Sequence, residues 1–243
     1  MSILVFSPHE DDETLACGGT IIKKVRERHR VSVIFMTDGS KSHDHLNTPE
    51  NPGRGEIKLI RRHEAEEAAR LLGLKGENII FLDFEDNTLE AEIPKAVVLV
   101  QEILSKARPA EIFMPHKHDS HRDHCAANAI VSSAVRALRL DADIYEYIIW
   151  SDTTMLRQIL KSPDIVSIDV FDVVELKKRA IAAYRSQVDI LFPGQAAPVL
   201  GPSLVERFRQ PFEFFSKHRM KNGERQRHQS GKEEIASGYG PSQ

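Results

Sequence analysis

The sequence predicts a single α/β domain, a Rossmann-like three-layer sandwich with a mostly parallel sheet. Three observations carry that expectation. Short apolar runs rich in β-branched residues read as buried strands at 3–6, 31–36, 79–82, 111–114, 145–150 and 165–170. Helical patterns fall between most of them, at 13–27, 56–73, 93–107, 121–139 and 173–187, as parallel strands with crossovers require. Histidines and acids gather just after strand ends, where open α/β sheets collect functional groups.

Taken in order, the strand at 3–6 runs directly into PHEDDETLACGGTI (8–21), whose helical pattern reaches residue 27. The strand at 31–36 ends in MTDG and is followed by KSHDHLNTPENPGRG (41–55), polar and rich in turn formers, hence a long loop at the same sheet edge. The strand at 111–114 leads into PHKHDSHRDHCAANAI (115–130), where residues 121–124 form a first helical turn. The segment 194–202 (GQAAPVLGP) is irregular. The domain is expected to span 1–216, with a polar C-terminal extension at 217–243.

Bulk composition narrows the function. With 243 residues and 41% hydrophobic content, the chain can bury a sizeable core. A net charge of −3 speaks against a nucleic-acid partner. No apolar stretch reaches 18 residues, so no membrane span is expected. MSILVFS lacks a basic leader region, and two cysteines, Cys17 and Cys125, make no disulfide framework. A cytoplasmic protein is expected.

Four consecutive acids, Glu10 to Glu13, follow His9 and must repel one another unless something positive sits among them. His9 and Asp12 are three apart and can face one point, a ligand set suited to a divalent metal. The plainer reading is helix capping, which explains one or two of these acids but not all four with a histidine. The second cluster places four of the chain's eleven histidines within nine positions, and His121 and His124 repeat the three-residue spacing. Its plainer reading is a solvated loop. A catalytic zinc takes three protein ligands and keeps a fourth position open, and the two clusters together supply that number. Gly18 and Gly19 belong to no nucleotide-binding motif and fit close helix–sheet packing better.

HEDDE (9–13) followed by CGGTI (17–21), together with HRDH (121–124), resembles the PIG-L/LmbE-like family of zinc-dependent N-acetylglucosamine-type deacetylases, whose signatures are HPDDE and HxDH. MTDG (36–39), RRHEA…LG (61–73), FEDNTL (84–89) and KKRAIAAYRSQ (177–187) extend the likeness to about residue 187. One departure is Glu10, where the family usually has proline.

The resemblance implies His9, Asp12 and His124 as metal ligands, Asp11 as general base, and His121 as the group that stabilises charge or donates a proton. It implies that Asp123 orients a neighbouring histidine. The implied cofactor is zinc, with iron or another divalent metal as the alternative. The implied partner is a small N-acetylated amino sugar or glycoconjugate, and a homo-oligomer is expected. The chemistry agrees: an acid next to a ligand can accept a water's proton, and an imidazolium can steady an oxyanion. A carboxylate hydrogen-bonded to a ligand histidine fixes its tautomer.

The stripe Ile57, Ile60, Arg61, Glu64, Ala68, Leu71, Leu72 is apolar apart from Arg61 and Glu64, which read either as a buried structural ion pair or, for Arg61, as a substrate contact. Tyr184, Ser186 and Gln187 read equally as a helix end or as substrate contacts, while Tyr145, Tyr147 and Trp150 read as packing. Two other functions share the ligand set: a non-haem iron enzyme with two histidines and one carboxylate, and a non-catalytic metal-binding α/β module. Substrate choice is expected to fall to the loop at 41–55 and the segment at 188–202.

Overall fold

The structure, a computed structural model, describes residues 1–46 and 48–220. Its strands are β1 (Ser2–Ser7), β2 (Arg30–Thr37), β3 (Ile79–Phe84), β4 (Glu111–Pro115), β5 (Ala142–Tyr147), β6 (Ile165–Asp169) and β7 (Phe212–Met220). They form one seven-stranded sheet in the order β3-β2-β1-β4-β5-β7-β6. β1 lies inside the sheet, parallel to β2 on one side and to β4 on the other. Its alternation serves two cores: Ile3 and Val5 face one side, Leu4 and Phe6 the other.

The helices are α1 (Asp12–Arg26), α2 (Arg54–Leu71), α3 (Ile93–Ala107), α4 (Arg122–Ala137), α5 (Thr153–Leu160), α6 (Val174–Ile181), α7 (Arg185–Val188) and α8 (Pro202–Phe208). Helices α1, α2 and α6 close the face that carries Leu15, Ile21, Ala65, Ala68 and Ile181, while α3 and α4 close the other with Val100, Leu104, Ala127 and Ile130. Among the described residues, no helix is long and apolar enough to cross a membrane.

Gly19 explains part of the packing, because a Cβ there would stand 2.5 Å from Val170 Cβ. Next to it, the buried carboxylate of Glu213 on β7 accepts the Gly19 and Thr20 N–H groups at 2.7 and 2.8 Å and pairs with Lys177 Nζ at 2.7 Å. Strand β7 is thereby pinned to α1 and α6.

The structure departs from the sequence expectations in four places. The helix expected over 173–187 breaks between α6 and α7, because the Ser186 N–H goes to Glu64 Oε1 at 2.7 Å instead of continuing the helical ladder. The fifth strand starts earlier than 145 and ends at Tyr147, because Asp119 Oδ2 captures the Ile149 and Trp150 N–H groups at 2.8 and 3.1 Å. Strand β7 was not anticipated; it runs antiparallel to both β5 and β6. Residues 217–220 of the expected extension complete it, and 221–243 lie outside the described residues.

Candidate active site

Strand order reverses between β1 and β4, and the chain beyond the carboxyl ends of these two neighbours carries both clusters. The turn after β1 is forced. Asp11 has φ 142°, a conformation that costs a non-glycine residue, and it is held there by side chains around it. Glu13 Oε2 accepts the Asp11 N–H at 3.2 Å, Glu13 Oε1 accepts the Tyr184 hydroxyl at 2.6 Å, and the Glu13 N–H goes to Ser7 Oγ at 3.1 Å.

The four acids therefore have different partners. Glu13 braces the turn, and Asp12 faces His9 and His124. Asp11 and Glu10 face Arg61, with Asp11 Oδ2 at 3.1 Å from Nη2 and Glu10 Oε2 at 3.6 Å from Nε.

Asp12 Oδ2 lies 3.4 Å from His9 Nδ1 and 3.1 Å from His124 Nε2. His9, His121 and His124 each bring a ring nitrogen within 4.8 Å of the others. Donors on a tetrahedral zinc at its usual bond length are about 3.3 Å apart, so the Asp12 contacts have the spacing of ligands around one ion. Both nitrogens of the buried His124 ring lack a well-aligned hydrogen bond, which fits a ring whose partner is an ion. His9, Asp86 and Asp123 form a second candidate group on the other edge of the His9 ring.

Supporting carboxylates hold these rings. Asp123 Oδ2 lies 3.3 Å from His9 Nε2 and accepts the Asn87 N–H at 2.8 Å, while Oδ1 accepts the Leu89 N–H at 3.1 Å. Asp119 Oδ2 lies 3.2 Å from His124 Nδ1. His121 Nδ1 accepts the Asp123 N–H at 3.3 Å as the cap of α4, so the neutral ring presents Nε2–H as a donor.

Burial and charge set the protonation states. Burial would raise the Asp12 carboxyl, but His124 and His9 outweigh it and hold it far below the carboxylate range. Burial raises Asp11 well above that range against the pull of Arg61. Burial likewise pushes Glu10 up to about 7, opposed by Arg61. Burial would lower His124, but Asp12 and Asp119 carry it to about 9. Burial, reinforced by His9 and His124, pushes His121 down to about 4. Without a bound metal, this favours the neutral form of the His121 ring.

His9, Asp11, Asp12, Arg61, Asp86 and His121 form the polar floor of a cleft of about 100 Å³. Ser42 from the 41–55 loop, with Val199 and Leu200 from the 188–202 segment, contributes to its walls. A larger cavity of about 640 Å³, lined by Leu156, Ile159, Phe208 and Phe214 among others, contains no residue of either histidine–acid group.

Arg61 and Glu64 do not pair with each other. Arg61 turns to the Glu10–Asp11 turn, and Glu64 accepts the Ser186 N–H and hydroxyl at 2.7 and 2.6 Å. Cys17 is buried in the core, in line with a packing role. Sequence reasoning missed Asp86, Asp119 and Glu13. Asp86 lies within FEDNTL and Asp119 within the histidine cluster, but neither has a spacing that singles it out.

The family described as GlcNAc-PI de-N-acetylase (PIG-L) matches residues 4–135. The chain is 29% identical over 201 residues to a probable N-acetyl-alpha-D-glucosaminyl L-malate deacetylase 2 of Bacillus cereus, covering 81% of this chain and 88% of that one. It is 30% identical over 196 residues to the diacetylchitobiose deacetylase of Thermococcus kodakarensis, covering 76% and 69% respectively. The solved N,N'-diacetylchitobiose deacetylase of Pyrococcus horikoshii superposes with a TM-score of 0.67 at 25% identity, covering 89% of this chain and 83% of that one.

Proposed function

The chain belongs to the PIG-L family of de-N-acetylases, and on that premise we propose that it is a metal-dependent amide hydrolase that removes the acetyl group from an N-acetylated amino sugar or its conjugate, with zinc as the resident metal. The observation that carries the reading is the meeting of His9, Asp12 and the fully buried His124, from opposite flanks of the β1–β4 junction, under a cleft that His9, Asp11, Asp12 and His121 line.

His9, Asp12 and His124 are the residues that would hold the metal. A divalent ion there supplies Lewis acidity, polarising the amide carbonyl and making water acidic near neutral pH. Asp11 takes the proton of the attacking water; its burial keeps the carboxylate basic enough for that work, and Arg61 holds it in place. His121 offers Nε2–H to the oxyanion as the carbonyl carbon becomes tetrahedral. When the C–N bond breaks, the proton held by Asp11 passes to the departing amine, and acetate and the free amino sugar leave. Asp123 keeps the His9 ring oriented. Arg61 lines the cleft and touches the substrate. An iron oxygenase or a binding module would leave Asp11 and His121 without work.

Acetate release from a panel of N-acetyl sugars, with and without chelator, tests this reading. Chelator-sensitive release from at least one sugar is expected. No release from any of them would overturn it.

A further inference from the structure

Among the described residues, Arg61 is the one lysine or arginine lining the cleft, and its guanidinium is already committed. Nη2 donates to the Glu10 carbonyl and to Asp11 Oδ2, and Nη1 to the Gly39 carbonyl at 3.5 Å. Nε faces Glu10 Oε2 at 3.6 Å, and both of those buried atoms lack any other partner. Gly39, with φ +57°, leaves room for this contact: a Cβ there would collide with Glu10 Oε2 and stand 2.9 Å from Arg61 Cδ.

The other acids lining the cleft are Asp11, Asp12 and Asp86. Basic side chains on the 41–55 loop and the start of α2 are also taken. Lys41 pairs with Glu85 at 2.8 Å, Arg54 with Asp44 at 2.6 Å and Lys58 with Asp83 at 3.1 Å. A carboxylate on the substrate would meet no uncommitted cation on this side and several like charges, an arrangement that rejects anions.

Resting on the deacetylase reading, we propose that the cleft selects N-acetylated sugars whose remaining part is uncharged, and that Glu10 sets this preference by occupying Arg61. An uncharged acetamide or hydroxyl can still take the spare Nη1 hydrogen, whereas an anion would have to pull Arg61 away from two carboxylates.

A matched pair isolates charge from shape: N-acetylglucosaminyl malate and its dimethyl ester, compared by kcat/KM for acetate release on the metal-loaded protein at low ionic strength. The ester is expected to be preferred by about tenfold or more, with the gap narrowing as salt screens the site. Glu10→Gln is expected to shift the ratio toward the dianion by about threefold, where a merely structural role would slow both substrates alike. Equal rates, preference for the dianion, or an unchanged ratio in the variant would overturn the inference. If neither compound releases acetate, release from the panel of N-acetyl sugars decides the deacetylase reading separately. Calorimetric binding of the two compounds then decides the charge preference, and tighter binding of the dianion overturns it.

Discussion

Asp12 Oδ2 stands 3.1 Å from His124 Nε2 and so ties the first turn of α1 to the first turn of α4, across the point where strand order reverses. The same oxygen reaches His9 Nδ1 at 3.4 Å.

Asp11→Asn removes a base while sparing the metal ligands. Turnover is expected to fall by about 10²- to 10⁴-fold with the metal content unchanged. Turnover within a few-fold of the parent would take Asp11 out of the mechanism.

Metal binding should release protons. His9 and His124 are both raised in the metal-free chain, His124 to about 9, and each must be neutral to bind a metal. Apparent affinity is therefore expected to climb about tenfold per pH unit for each proton displaced, up to that value. Calorimetry in buffers of different ionisation enthalpy counts the protons. The folded, metal-free protein has the matching dependence. The stability from protonated His124 is full below its ordinary value of 6.5 and is lost as pH rises through about 9. A metal-free melting temperature that climbs over that interval would contradict the assignment.

Asp123→Asn weakens the carboxylate that faces His9 Nε2 while keeping its shape. Metal affinity should fall by about 10- to 100-fold, as measured by competition with a chromogenic chelator. Unchanged affinity would make the Asp123 contact irrelevant to the site.

The buried Lys177–Glu213 pair is far more consequential than a surface pair. Lys177→Met strands a buried carboxylate and should cost about 3–5 kcal/mol in denaturant unfolding. Adding Glu213→Gln should recover part of that loss, because the buried charge is removed while the one amide oxygen can still accept from Gly19 or Thr20. A loss below about 1 kcal/mol, the size of a surface pair, would show that the interaction is solvated.

The legible parts of the site were local. His9 with Asp12, and His121 with His124, lie three residues apart; the first turn of α4 brings the second pair together, and the tight turn at Asp11 before α1 brings the first. Local spacing misled at Arg61 and Glu64, which look like an intrahelical pair but each find a stronger acceptor or donor from another segment. Asp86 and Asp119 were hidden because what they touch, His9 Nε2 and the Ile149 and Trp150 amides, arrives only when the sheet assembles. In the fold, β7 escaped notice because its alternation sets exposed Phe212 and Phe214 against buried Glu213 and Phe215. That inverts the usual sign of a half-buried strand at three of four positions.

Metal content per chain, measured by elemental mass spectrometry on folded protein, tests the centre most directly. One divalent ion per parent chain is predicted, falling below about a tenth in Asp12→Ala and in His124→Ala, since a three-ligand site does not survive the loss of one. A full equivalent of metal retained in either variant would place the ion elsewhere and contradict the account.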